Sequence, residues 1–112
     1  MTVQELIHSM ELTVFHLAQP ERPVTGGYVG DLLSWVMGRA GQDCAWLTIM
    51  SNQNVAAVAL MADVACVILT EGVQPDADLL RRAQEKEVNL LGVGQDTFAA
   101  ACRLGQIGRA HV

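Results

Sequence analysis

Ala65-Cys66-Val67-Ile68-Leu69-Thr70, closed by Glu71-Gly72, is the stretch on which the fold turns. A continuous apolar run of this length, with no polar alternation, describes a strand buried on both faces, as in a parallel sheet covered by helices. Before it, Val55 to Ala62 is apolar on every side and reads as a buried helix that breaks at Asp63. After it, Pro75-Asp76 opens a helix with Leu79, Leu80 and Ala83 inward and Arg81, Arg82, Glu85, Lys86 and Glu87 solvated. Ala45 to Met50 and Val88 to Val93 are further strands, and Thr97 to about Leu104 is a last helix with Phe98, Ala101 and Cys102 inward. From Ala45 onward the order is strand, helix, strand, helix, strand, helix, which predicts right-handed crossovers and a largely parallel sheet.

The front third is less regular. Thr2 with Glu5 forms a capping-box pattern ahead of the stripe Val3, Leu6, Ile7 and Met10, so a helix covers about 2 to 10. Leu12 to Leu17 reads as a strand ended by Gln19-Pro20, and a second strand or corner falls around Val24 to Val29. Asp31 stands where an N-cap belongs, ahead of a helix with Leu32, Leu33, Val36, Met37 and Ala40 on one side and Gly41 at its end. The expected fold is a three-layer α/β/α sandwich with a mostly parallel or mixed sheet of about five strands. A single domain is expected over 1–106, followed by a tail at 107–112.

The segment Gly26-Gly27-Tyr28-Val29-Gly30 makes a specific demand on the backbone, because glycine loses the most conformational freedom on folding. It reads either as a structural hairpin or corner or as a phosphate-binding loop. It contains no GxGxxG pattern and no Gly-Lys-Ser/Thr, which argues against nucleoside-triphosphate chemistry of the P-loop type. Asp31 behind it would repel an anion, so the structural reading is favoured.

Three polar loops follow the carboxyl ends of the expected parallel strands, where open α/β sheets bind ligands. Their candidate ligand residues are Ser51, Asn52 and Asn54, then Thr70 and Glu71, then Gly94. The same residue types are ordinary turn and capping residues at βα junctions. His8, His16 and His111 lie far apart with no supporting motif, and Asp31, Asp43, Asp63 and Asp96 each fit a cap or turn without forming a close acidic pair. Neither a catalytic residue nor a metal or cofactor is expected.

The net charge of −5 and pI near 4.9 argue against a general binder of nucleic acid or anionic membrane, which needs a basic face. Val55 to Leu69, taken as one helix, would reach only ~22 Å, short of a ~30 Å bilayer core. Met1 to Met10 has no basic region leading into an apolar core, so it is not read as a secretory signal. Cys44, Cys66 and Cys102 lack CxxC spacing and sit among apolar neighbours, as buried structural thiols of a cytoplasmic protein would.

The all-apolar helix needs cover on every side, whereas a small sandwich supplies one helix layer per sheet face. A second subunit would provide it, with Trp35, Val55, Val58, Ala59, Met61 and Ala62 as the expected homodimer interface. A fully covered core helix is the other reading.

Arg22, Val24-Thr25-Gly26-Gly27-Tyr28 and Asp31-Leu32-Leu33-Ser34, continued by Thr48-Ile49, Asn54-Val55-Ala56, Asp63 and Ala65 to Thr70, resemble the DRTGG domain. The resemblance spans about 1 to 106. It departs at the name-giving motif, where Glu21 stands for Asp and Pro23-Val24 separate Arg22 from Thr25-Gly26-Gly27. It implies a fold like the N-terminal domain of HPr kinase/phosphorylase, related to the uridine-nucleotide-binding N-domains of Mur ligases. DRTGG domains also occur in phosphotransacetylases and between CBS domains in regulatory pyrophosphatases. The kinase active site of that family lies in a different domain, so no catalytic residue carries over. The resemblance therefore implies a non-catalytic, homodimeric regulatory module that senses a nucleotide-like or phosphorylated metabolite. The alternative is an interaction module for a heterologous protein, without a small-molecule ligand.

Overall fold

The computed structural model describes residues 1–110. The elements are α1 (Val3–Met10), β1 (Thr13–His16), β2 (Gly26–Val29), α2 (Leu33–Arg39), β3 (Cys44–Thr48), α3 (Asn54–Ala62), β4 (Cys66–Leu69), α4 (Ala77–Lys86), β5 (Leu90–Gly92) and α5 (Thr97–Ala110). The five strands form one sheet in the order β1-β5-β4-β3-β2. β2 through β5 run parallel, and β1 closes the far edge antiparallel to β5, with a register irregularity between Val14 and His16. The sheet is therefore mixed.

Each parallel strand lies beside the next in sequence, so the three crossovers step the same way and α2, α3 and α4 share one face. Strand alternation divides the core accordingly. Trp46, Val67, Leu69 and Leu90 pack beneath α2, α3 and α4, while Leu47, Ile68 and Leu91 pack against α1 and α5 on the opposite face. The result is the expected three-layer sandwich.

Capping chemistry sets several boundaries. The Thr2–Glu5 box is formed in both directions. α1, α3 and α4 end on left-handed acidic residues, Glu11, Asp63 and Glu87, where a glycine would be less strained. Asp31 is not the cap of α2. That position belongs to Leu32, which makes no side-chain capping bond, and the helix ends at Arg39 with Ala40 extended, short of Gly41. Of the expected α2 stripe only Val36 is buried, while Leu32 and Met37 are exposed.

The glycine-rich segment is neither a corner nor a phosphate loop. Gly26 to Val29 is an extended edge strand, and none of Gly26, Gly27 or Gly30 has a positive φ. The close approach is at Gly27, where an added Cβ would lie 2.7 Å from Leu104 Cδ2 of α5.

Helix α5 runs through the boundary expected at 107, and Ile107 packs on the α1–α5 core. Phe98 and Cys102, expected inward, are exposed on it, because Ala100 supplies the buried position. His111 lies outside the described residues. No helix among them is long and apolar enough to cross a membrane.

Candidate functional site

At the amino edge of the sheet Arg22 binds two acidic helix and loop ends together. Its Nη2 donates to Asp63 Oδ1 at 2.6 Å and to the Asp63 carbonyl at 2.7 Å, and its Nε donates to Asp43 Oδ1 at 3.0 Å. Gln42 Nε2 donates to the other Asp63 oxygen. Asp43 and Asp63 both hold left-handed backbone, so the guanidinium pins two strained residues. Burial alone would lower the Arg22 pKa, but the hydrogen bonds and charges of Asp63 and Asp43 outweigh it and hold the pKa above its ordinary value. Thr25 joins the same edge, its amide donating to the Asp43 carbonyl and its hydroxyl to that of Gln42.

The carboxyl edge gathers the six residues read as ligand candidates, and some of their polar groups are already engaged. The Ser51 carbonyl accepts from the Asp76 amide, and Asn52 Oδ1 accepts from the Asn54 amide at 2.9 Å. Thr70 Oγ1 lies 2.7 Å from Thr97 Oγ1, and Glu71 Oε2 accepts from the Thr97 amide at 2.8 Å. The Glu71 amide donates to the Gln95 carbonyl beside Gly94, which is exposed. Asp96 Oδ1 accepts from the Ala99 amide, and Asp31 Oδ1 accepts from Thr48 Oγ1 and the Ile49 amide. Three carboxylates, Asp31, Glu71 and Asp96, thus occupy donors that an anionic ligand would need. Tyr28 is half-buried on β2, and Trp46 Nε1 closes this end by donating to the Gly30 carbonyl.

Of the six residues expected at a subunit interface, Val55, Val58 and Ala59 are buried within the protomer against the sheet and offer no outer surface. α3 is apolar all round, yet one side already meets the core. Trp35 (51 % exposed), Leu60 (52 %) and Met61 (70 %) remain outside on the packed pair α2 and α3, beside half-buried Ala62. The Arg39 guanidinium lies 3.7 Å from the Trp35 ring centroid.

Two hollows adjoin these surfaces. One, of about 290 Å³, separates the β2 edge from α5 and is lined by Gly26, Gly27, Tyr28 and Leu104. The other, of about 340 Å³, lies between α3 and α4, and Asn54 is the one ligand candidate that lines either. Its Arg82 and Lys86, read from sequence as merely solvated, were not anticipated there; their i, i+4 spacing was the available signal. Asn89 gave no such signal. It is buried and bonded four times, accepting from the Ala18 and Gln19 amides and donating to the Gln19 and Ala65 carbonyls.

Burial pushes the Cys66 thiol up to about 12 and raises that of Cys44, so neither is a ready thiolate. His8 is exposed on α1 and His16 half-buried on β1. Among the described residues no three His, Cys, Asp or Glu side chains group to hold a metal ion.

Fold and edge chemistry together define a small α/β/α module whose polar loops are partly bonded among themselves. The chain belongs to the DRTGG domain family, whose model matches residues 35–107. The segment Arg22 to Ser34 lies before the matched span. A solved structure, the CBS and DRTGG domains of the regulatory region of Clostridium perfringens pyrophosphatase complexed with the activator diadenosine tetraphosphate, superposes with a TM-score of 0.67 at 12 % identity. The match takes in 92 % of this chain and 45 % of that one, so this chain spans under half the length of its structural neighbour. Comparison with curated proteins found no match.

Proposed function

We propose that this chain is a non-catalytic regulatory module that pairs with a second copy of itself and senses a nucleotide-like or phosphorylated metabolite in the cytoplasm. The observation that carries the pairing is the exposure of Trp35, Leu60 and Met61 on the packed helices α2 and α3, since exposed aromatic and Met side chains are enriched at interfaces. The ligand-sensing part is supported by the neighbour's occurrence in a regulatory region complexed with a nucleotide activator. The two buried free thiols, with no disulfide between them, suit a reducing compartment.

Sedimentation equilibrium of the purified chain at tens of micromolar tests the pairing. A dimer is expected for the wild type and a folded monomer for Met61→Glu. A wild-type monomer, or a Met61→Glu dimer as tight as wild type, would remove it.

A further inference from the structure

We propose that the hollow between α3 and α4 is the site of the metabolite: an organic anion with an apolar body of nucleobase size and a phosphate head. This deepens the ligand-sensing reading and rests on it. At about 340 Å³ the hollow lies within the ~300–1,000 Å³ range of small-molecule sites. Ala57, Leu60 and Met61 present an apolar wall on α3, with Leu60 and Met61 at the margin that the hollow shares with the proposed pairing surface, and Arg82 and Lys86, one turn apart, face it from α4.

The charge pattern points to the ligand class. Arg81 is taken up by Asp78 at 3.1 Å and Glu85 at 3.8 Å, whereas Arg82 and Lys86 have neither ion pair nor hydrogen bond among the described residues. On a chain of net charge −5, two unpaired cations beside an apolar hollow form a local exception that would attract an anion. The guanidinium matches phosphate geometry with paired donors, and the ammonium adds a mobile point charge. The apolar wall would hold the ligand body while the two cations take its head. The carboxyl edge offers the reverse, since Asp31, Glu71 and Asp96 already stand on its donors.

The test is an amide-resolved NMR titration of the full chain with adenosine monophosphate, adenosine and inorganic phosphate as separate probes. Saturable shifts are expected at residues 53–61 and 82–86, with adenosine monophosphate bound more tightly than either fragment. The exposed double substitution Arg82→Glu/Lys86→Glu should weaken that binding roughly tenfold or more, while Arg82→Lys retains most of it. The rest of the spectrum reports whether the variants remain folded. Shifts confined to residues 51–52, 70–71 and 94–96 would overturn the groove and leave the sensing reading standing. An unchanged spectrum with adenosine monophosphate would overturn the groove, and no shift with any phosphorylated probe would remove the sensing reading as well. Undiminished binding by the double variant, or phosphate binding as well as the nucleotide does, would also overturn the proposal.

Discussion

Replacing Arg22 by alanine tests whether its side chain acts as a structural clamp at the amino edge of the sheet. Its side chain is only 17 % exposed and makes three charge-assisted hydrogen bonds to Asp43 and Asp63. Hydrogen bonds to charged groups contribute about 1.5–3 kcal/mol each, and stranding a buried partner costs about 3–5 kcal/mol. Asp63 is 52 % exposed, however, so water would take over much of its solvation, and the sum must be discounted. The expected loss is about 2–3 kcal/mol, or roughly 10 °C in Tm for a domain of this size. Arg22→Lys keeps the charge but not the fork and should lose about half as much. Urea unfolding gives the free energies, with Asp63→Asn as the partner in a double-mutant cycle, because asparagine tolerates the left-handed backbone there. A loss below about 0.5 kcal/mol for Arg22→Ala, or additive effects in the cycle, would refute the clamp.

Other perturbations probe the interior. Asn89→Ala strands four backbone groups, two of them donors, and should cost about 3 kcal/mol or more in urea unfolding; a loss under 1 kcal/mol would mean water replaces the amide. Gly92→Ala would place a Cβ 2.5 Å from Phe15 Cε2 on a strand buried on both faces, so about 1–3 kcal/mol should be lost, and a neutral result would show that the ring yields freely. In the native protein Cys102 should react with a thiol reagent at once and Cys44 and Cys66 only on unfolding; equal rates would contradict the burial. Because the folded Cys66 thiol keeps its proton longer than an unfolded one, stability should be intact below pH 9 and fall as pH rises toward 12, by at most about 1.4 kcal/mol per unit from this group. Unfolding curves at pH 8 and 10.5 check that sign.

The layered fold was legible because periodicity reports burial directly. Ala65 to Thr70 carries no polar alternation, and the strand is covered on both faces; the Thr2–Glu5 box formed as spaced. The sequence is ambiguous where one local signal has two uses. Asp31 looked like a helix cap but accepts from Thr48 and Ile49, a contact between chain segments that no local pattern encodes. Glycines that suggested a bend sit in an extended strand and admit α5, since lack of a Cβ serves close approach as well as positive φ. The all-apolar α3 overstated the interface: Val55, Val58 and Ala59 face the sheet, leaving Leu60 and Met61 outside. Arg82 and Lys86 differ from Arg81 only in lacking acidic partners, and helical spacing alone could not show that they border a hollow.

Phosphorus-31 NMR of adenosine monophosphate and adenosine triphosphate, titrated with the purified chain, tests most directly whether the module binds without turnover. Saturable broadening or shift of the nucleotide lines is expected, with no new phosphate line on prolonged incubation. Lines that never move, or a growing line of transferred or released phosphate that persists through repurification, would contradict a ligand-sensing, non-catalytic module.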